Sequence, residues 1–482
     1  MPKFSIFNDV LGPIMVGPSS SHTAGTCRVG LMARALLGEE PFRARISFDP
    51  GGSLAHTYRG QGSDRGYVGG LLGLDPGDPA VARSLSIAVD RGLIVEFAVE
   101  PLEDASHPNM TRLDLTGVTG RRAEVWGAST GGGMMRITRV NGLPVDLPGD
   151  EHDLLATVDG KLRHIRLKAP WTGEEVPGAT RVVYAPPVVP VAARHGHIPL
   201  FTDTGEMTSW AVRTHRSFGE AALAYELHRS GWSESRAQAH MSRIWQVMRD
   251  AVTRGLSEDL TLIGGIVTPS AQRMQRAGDS FLGGPVSQSV VYSTAVMEVS
   301  NAAGVVVAAP TAGAAGVLPG VLVGAAERLG ASEEQVLKAL WAAGGIGLMI
   351  ARRATFAAEV AGCQAEVGAA SAMAAAALVE LAGGTPRQAE GAASVALQNS
   401  LGMICDPVAG LVQVPCFGKN AMGVGNAYAS ADMVLGGYHA LIPFDEVAEA
   451  MLKVGHAMPR ELRCTALGGL AATPTAQKLG RN

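Results

Sequence analysis

The sequence is short of charge, of aromatic residues and of basic clusters. Charged residues make up 17% of the 482 positions and the formal net charge is −4. No basic run occurs, so nucleic acid is not expected as a partner. Aromatic residues make up only 5%, whereas glycine occurs 61 times. Small residues of this kind allow helices to approach one another closely.

Signals for export or membrane insertion are also missing. The first residues, MPKFSIFNDVLGP, contain no charged region followed by a long apolar run, so they do not predict a signal peptide. Residues 302–326 are apolar, but they contain Pro310, Thr311, Pro319 and several glycines. We interpret them as a buried loop and helix rather than a membrane span. The sequence thus predicts a cytoplasmic protein without a membrane partner, in which thiols stay reduced.

Closely spaced cysteine pairs are absent, although three of the five cysteines fall in one stretch. They are Cys363, Cys405 and Cys416, and each lies near a glycine or proline, which is typical of a loop or an element end. A disulfide would leave one thiol over, and structural zinc usually takes four ligands in pairs such as C-x2-C. An iron–sulfur cluster on three cysteines would leave one iron open as a Lewis acid. Inert buried thiols are the remaining alternative.

Longer motifs decide between these alternatives. The cysteine stretch contains AEVAGCQAEVGAASAMAAAAL, CDPVAGLVQVPC and KNAMG. Further segments are GPSSSHTAG (17–25), GSLAHTYRGQGSD (52–64), HPNM (107–110), AAPTAGAAGVLPGVL (308–322) and ALGGLAATPT (466–475). Together they resemble the iron–sulfur-dependent L-serine dehydratases (L-serine ammonia-lyases). Their order is that of a single chain in which the β and α domains of that family are fused.

The resemblance implies a multidomain α+β fold. We expect an N-terminal α/β sandwich-type serine dehydratase β domain at residues 1–150 and a connector or reduced regulatory module at 151–205. An all-α catalytic domain is expected at 206–482. Helical apolar spacing in segments such as FGEAALAYELHRSG and DEVAEAMLKVGHAM agrees with this last assignment. A homodimer is also expected.

The same resemblance implies a reaction and a cofactor. In that family the cysteines matching Cys363, Cys405 and Cys416 hold a 4Fe–4S cluster, and L-serine is converted to pyruvate and ammonia. Pyridoxal phosphate is not expected, since no recognisable Schiff-base lysine motif is present. In some relatives a terminal cysteine caps the open iron. Here the last residue is Asn482, so Cys464 is either a fourth ligand or a packed thiol.

Candidate site residues follow from the matching motifs. His22, Gln61 and Lys419 are the predicted catalytic residues, and His22 and Lys419 are candidates for the base. The predicted substrate-binding residues cap helices or lie in loops of the matching motifs, and they are Ser19, Ser20, Ser21, Thr23, Asp64, His107, Asn109, Thr311, Gly313 and Asn420. Capping or packing without a ligand is the alternative for the serine-rich and glycine-rich loops, and a surface ion pair is the alternative for Lys419. Cys27 is interpreted as structural.

Gln61 is the main departure from the family. The aligned residue is commonly histidine within G-H-G-T-D, a plausible carboxylate contact or proton carrier, whereas glutamine hydrogen-bonds but does not titrate. Serine turnover is then slow, or Gln61 binds the carboxylate as a neutral amide, or it recognises a different substrate. The alternatives are β-elimination on L-threonine, L-cysteine or a specialised hydroxy amino acid, and a non-catalytic amino-acid-binding relative. Retention of the three cysteines argues against the last.

Overall fold

A computed structural model describes residues 4–104, 106–194, 198–278 and 281–479. The strands in these ranges are β1 (Ile14–Val16), β2 (Pro41–Phe48), β3 (Ile94–Val99), β4 (Met110–Gly117), β5 (Arg122–Gly131), β6 (Met134–Val140), β7 (Leu143–Leu147), β8 (His152–Val158), β9 (Lys161–Leu167), β10 (Ala179–Ala185) and β11 (Val305–Val307).

The α-helices in the same ranges are α1 (Gly25–Leu37), α2 (Leu54–Thr57), α3 (Ser63–Leu71), α4 (Ser84–Asp90), α5 (Thr204–Arg213), α6 (Phe218–Ser230), α7 (Glu234–Ser257), α8 (Ala271–Ala277), α9 (Gly284–Asn301), α10 (Val317–Leu329), α11 (Glu333–Arg353), α12 (Ala358–Ala361), α13 (Val367–Leu381), α14 (Pro386–Gln398), α15 (Cys416–Leu435), α16 (Phe444–Ala457) and α17 (Pro474–Leu479).

The chain forms two compact units. The strand-rich unit is Ser19–Gly196, and the helical unit combines Met1–Pro18 with His197–Asn482. A strand-rich N-terminal region followed by a helical one confirms the predicted multidomain α+β class. The boundaries differ from the expected ones, because the N-terminal segment packs with the helical unit and residues 151–185 extend the strand-rich unit.

The strand-rich unit is built on a six-stranded sheet with the strand order β3-β2-β4-β5-β6-β7. Its β2–β3 pair is parallel, and the other neighbouring strands are antiparallel. Burial alternates along β4, so that Leu113 and Leu115 point into the core. Helices α1 and α3 cover this face, with Met32 and Tyr67 in the same core. Sheet and helices therefore form a two-layer α/β arrangement.

A second sheet lies in the segment that the sequence analysis assigned to a connector or reduced module. Its three antiparallel strands have the order β10-β8-β9. Leu155 of β8 and Ala185 of β10 are buried in the core that the larger sheet and its helices share. The segment is thus an integral part of the strand-rich unit.

The N-terminal segment belongs to the helical unit because its apolar residues and its turn are held there. Ser5 caps a π-helical turn at Ile6–Val10. Two hydrogen bonds to the buried Glu226 carboxylate, from Ser5 Oγ and from the Ile6 N–H, are each 2.7 Å long. The Phe7 ring packs edge-on against Trp341, with their centroids 5.2 Å apart. Strand β1 then pairs with β11 in an antiparallel two-stranded ribbon.

The core of the helical unit is centred on α13, in which every residue except Glu380 is buried. Seven of its 15 residues are alanine, which lets α10, α11, α14 and α15 pack close around it. Residues 312–329, which include α10, are the one described segment long and apolar enough to span a membrane, yet 72% of the segment is buried inside the structure. This agrees with the interpretation of the apolar stretch as a buried loop and helix.

Candidate metal centre and substrate site

Four buried cysteines lie in neighbouring segments of the helical unit. Cys363 follows Gly362, whose left-handed backbone (φ 71°) favours glycine, and Cys416 begins α15. Cys464 follows α16, and its N–H donates to the Cys405 carbonyl over 2.9 Å. The four residues are only 3–8% exposed. The fold therefore gathers the three predicted ligands and the optional fourth in one unit.

Two of these thiols and one carboxylate form a tight group of possible metal ligands. The ligand atoms of Cys363, Cys405 and Glu366 all lie within 4.8 Å of one another. Cys464 hydrogen-bonds with Cys405 through its thiol, whereas Cys416 lies outside this tight group among the described residues. The group can therefore bind a metal, and thiolate sulfur favours a soft one such as iron.

The two closest thiols differ in their acid–base behaviour. A hydrogen bond from Cys405 is the main cause that lowers the pKa of Cys363, and the nearby Lys419 charge lowers it further against the effect of burial. The pKa of Cys405 is raised well above its usual range, because its thiol bonds to Cys363 and Cys464 and because it is buried. Cys363 is thus the more acidic thiol of the pair.

Glu366 is a candidate functional residue that the sequence analysis missed. Desolvation, and then the charge of Cys363, raises its pKa well above the usual range. Its carboxylate also touches the glycine-rich loop: a Cβ added to Gly313 would lie 2.9 Å from Glu366 Oε1. A larger residue at position 313 would therefore displace the Glu366 carboxylate. The signal in the sequence is one carboxylate three residues after Cys363, within a run of alanine, glycine and valine.

Lys419 was predicted as a catalytic residue, with a surface ion pair as the alternative. In the structure it is a mostly buried ion pair, with the ammonium 3.0 Å from Asp406 Oδ1. Burial by itself would lower the pKa of Lys419, but the negative charges of Cys363 and Asp406 raise it above its usual value. Lys419 is therefore held as an ammonium, which argues against a role as the base.

The glycine-rich loop after β11 carries the predicted ligands Thr311 and Gly313. Thr311 is completely buried. The N–H groups of residues 314–316 already have acceptors within the protein, so they are not free to bind a carboxylate. This leaves the first part of the loop, at residues 312–313, for such a contact.

Asn420 connects this loop to the cysteines. Its Oδ1 accepts a hydrogen bond from the Gly316 N–H over 3.2 Å. Its Nδ2 donates to the Gly313 carbonyl over 2.8 Å and to the Cys416 carbonyl over 2.9 Å. Asn420 is fully buried, and both ends of its amide are occupied. It was predicted to bind the substrate, and these bonds make it a brace between the loop and α15.

In the strand-rich unit, His22 is fully buried in the π-helical turn Ser20–Ala24. Ser19 caps this turn: its Oγ accepts from the His22 N–H over 3.2 Å and lies 3.3 Å from Nδ1. On the other side of the ring, Nε2 lies 3.3 Å from Ser53 Oγ. Both ring nitrogens thus face hydroxyl groups, which orient the imidazole.

Gln61 lies next to this turn. The Thr23 hydroxyl donates to the Gln61 carbonyl over 2.9 Å. The Gln61 side chain is 2% exposed, and its Nε2 has no hydrogen-bond acceptor in the described part of the chain. Ser63 Oγ is likewise buried and has no hydrogen-bond partner in the described part of the chain. Buried polar groups usually have partners, so these two atoms are candidates for a contact with a ligand.

The remaining predicted residues surround the same place in the strand-rich unit. The Pro108 carbonyl accepts from the Ser53 N–H over 2.8 Å, which ties the HPNM loop to the loop that holds His22. His107 is half-buried and Asn109 is buried, with Asn109 Nδ2 donating to Ser129 O. Burial raises the pKa of Asp64 in the first turn of α3. Ser20, Ser21 and Thr23 are buried in the His22 turn.

Family models match both units. The one described as serine dehydratase alpha chain matches residues 190–471, well over half of the chain, and the one described as serine dehydratase beta chain matches residues 5–90. The chain belongs to the serine dehydratase family. Both family domains occur in one chain, as the motifs predicted.

Relatives within the serine dehydratase family have the fused and the separate form. An L-serine dehydratase of Streptomyces coelicolor is 33% identical over 97% of this chain and 98% of its own length. One of Escherichia coli is 31% identical over 95% of this chain and 97% of its own. A probable L-serine dehydratase alpha chain of Bacillus subtilis is 42% identical over 58% of this chain and 94% of its own. The first two confirm the predicted fused single-chain form.

One cysteine of this serine dehydratase family member stands apart from the others. Cys27 lies in α1 of the strand-rich unit, is fully buried, and donates to the Leu74 carbonyl over 3.2 Å. Burial raises its pKa well above the usual range of a thiol. Cys27 has the environment of a packed structural residue, as the sequence predicted.

Proposed function

We propose that the protein is an L-serine ammonia-lyase that converts L-serine to pyruvate and ammonia with a 4Fe–4S cluster. The observation that carries the proposal is the buried group of cysteines in a chain that aligns over nearly its whole length with L-serine dehydratases. Cys363, Cys405 and Cys416 would hold the cluster, with Cys464 adjacent. The residues fit such a group, because their donor set is rich in cysteine sulfur and shielded from solvent.

The bound cluster would supply a Lewis-acidic iron that helps the β-hydroxyl of serine to leave. Removal of the weakly acidic Cα proton is left to a side chain, and His22 is the candidate, since imidazole titrates near neutral pH and Ser19 and Ser53 orient the ring. Loss of the proton and of the hydroxyl as water gives aminoacrylate. This compound tautomerises to an imine and takes up water to give pyruvate and ammonia without further help from the protein.

Binding of the amino acid would use the unsatisfied groups. Gln61 Nε2 is buried, lacks an acceptor among the described residues, and can donate to a carboxylate or hydroxyl oxygen. In the helical unit, the amides of residues 312–313 are a separate candidate for a carboxylate contact. A second candidate function is β-elimination on another amino acid such as L-threonine, because position 61 carries a neutral amide where the family resemblance implies histidine.

The proposal is tested by anaerobic purification with iron and sulfide analysis, followed by pyruvate release from L-serine and 2-oxobutyrate release from L-threonine. We expect about four irons per chain, and loss of iron and activity on replacing Cys363, Cys405 or Cys416 with serine, since a hydroxyl is a poor ligand for soft iron. Cys27→Ser is the matched control, because a serine there can still donate to the Leu74 carbonyl. Serine turnover by an iron-free protein would contradict the proposal.

A further inference from the structure

The environment of Lys419 is saturated with hydrogen-bond acceptors. Its Nζ lies 2.7 Å from the Ile404 carbonyl, 3.0 Å from Asp406 Oδ1 and 3.7 Å from Cys363 Sγ. An ammonium group has three N–H donors, and these three acceptors use all of them. The Lys419 side chain is only 16% exposed. A buried ammonium in this position is fixed rather than free to reach a substrate.

Both carboxylate oxygens of Asp406 accept hydrogen bonds. Its Oδ1 accepts from Lys419, and its Oδ2 accepts from the Leu470 N–H over 2.8 Å. A Cβ added to Gly469 would lie 2.6 Å from Asp406 Oδ2, so the chain approaches the carboxylate closely at a glycine. Asp406 is 3% exposed. Removing one member of a buried pair is costly because the other charge is left uncompensated.

The ion pair joins the segments that carry all four cysteines. Cys363 is contacted directly, and Asp406 follows Cys405 in the chain. Lys419 lies one turn after Cys416 on α15. The C-terminal segment is bound at Leu470, shortly after Cys464. These segments are far apart in sequence, so their arrangement depends on such cross-links.

We propose that the Lys419–Asp406 ion pair is a positioning device for the cysteine group, in which Lys419 holds Cys363 by an N–H···S hydrogen bond and keeps a positive charge beside its sulfur. The inference rests on the proposed function, in that the cysteines bind an iron–sulfur cluster. Hydrogen bonds to cluster sulfurs and nearby charge set the reduction potential of such clusters. A positive charge stabilises the more negative, reduced form. Lys419 is thus a positioning residue and not the base.

The test compares anaerobically prepared parent protein with Lys419→Met, Lys419→Arg and Asp406→Asn. Lys419→Met removes the charge and the N–H···S bond, and we expect a more negative reduction potential and about tenfold faster loss of iron to a chelator. Lys419→Arg keeps the charge and the donors and should restore much of both properties. Asp406→Asn removes the counter-charge and should speed iron loss. Arg353→Met is the matched control, because Arg353 pairs with Asp445 and Glu449 in the same unit without a contact to sulfur.

The outcomes separate this inference from the proposed function. A parent protein without iron overturns both. A parent protein with its cluster, combined with a folded Lys419→Met variant of unchanged potential and unchanged iron loss, overturns the inference alone. The same holds if Lys419→Met abolishes turnover while both cluster properties stay at parent values, since that is the behaviour of a base. If Lys419→Met does not fold, the reduction potential and iron loss of Asp406→Asn and Lys419→Arg decide the question. Equal changes of these two properties in Arg353→Met would show a general loss of stability.

Discussion

Asn420 offers a direct test of the connection between the glycine-rich loop and the cysteines. Replacing it with alanine removes the acceptor of the Gly316 N–H and the donor to the Gly313 carbonyl. Asn420 is completely buried, so bulk solvent does not take the place of the lost amide. Leaving a buried polar group without a partner costs about 1–3 kcal/mol, so we expect a loss of about 2–6 kcal/mol in the free energy of unfolding. This is a large share of the about 5–15 kcal/mol that stabilises a typical protein.

Activity should fall beyond the effect on stability. The loop carries Thr311 and lies against Glu366, so its displacement changes the surroundings of the cysteine group. A misplacement of about 1 Å near reacting groups can lower the rate about 100-fold. We therefore expect about 100-fold lower kcat/KM for L-serine in Asn420→Ala under conditions where the variant is folded. Urea unfolding measures the stability, and the rate of pyruvate release measures the activity.

Asn426 is the matched control in the same helix. Its side chain also makes three hydrogen bonds, to Ser371 Oγ, the Ala396 carbonyl and Asn399 Nδ2, at 2.8–2.9 Å. None of these partners belongs to the loop or to the cysteines. Asn426→Ala should therefore lose stability but keep kcat/KM within about threefold of the parent value. Equal losses of activity per folded molecule in the two variants would refute the reasoning that Asn420 acts through the loop.

Two further changes test the other unit and the N-terminal segment. Gln61→His should raise kcat/KM for L-serine by roughly 5- to 150-fold, because a charge-assisted hydrogen bond adds about 1–3 kcal/mol. Unchanged kcat/KM for L-serine, L-threonine and L-cysteine would place position 61 outside the site. Burial raises the pKa of Glu226 above 4.5 in the folded protein, so the free energy of unfolding should fall as pH rises from 4.5 through the raised value. Glu226→Gln should make this fall less steep in urea titrations at several pH values. The same dependence on pH in both proteins would contradict the prediction.

The cysteine group illustrates what the sequence could and could not predict. Long motifs around Cys363, Cys405 and Cys416 indicated a shared centre, and the fold confirms that these residues lie in one helical unit. The part played by Glu366 was missed, because its contact with Gly313 joins two segments that only tertiary packing brings together. The packing of Cys464 against Cys405 depends on a backbone pairing of distant segments, which local patterns do not reveal.

Lys419 was found from its motif, but its role could not be predicted from the sequence. Sequence alone offers a lysine near a cysteine, and such a residue can be a base or one member of an ion pair. What decides between these roles is the set of acceptors around Nζ, and these come from two separate segments, at Cys363 and at residues 404–406. The unit boundaries were misplaced for a similar reason, since the short apolar pattern at residues 4–18 does not indicate which core it joins.

The route of the chain through the helical unit has a consequence for synthesis. The hydrogen bond between Ser5 and Glu226 joins residues 221 positions apart. The segment that contains Ser5 is therefore synthesised well before the helix that contains Glu226. The whole strand-rich unit is translated in the meantime. Contacts between such distant residues slow folding, and the exposed apolar side chains of the waiting segment invite aggregation. A shortened protein that begins at residue 198 would lack this segment altogether, so Glu226 would lose its hydrogen bonds to Ser5 and Ile6, and Trp341 its contact with Phe7.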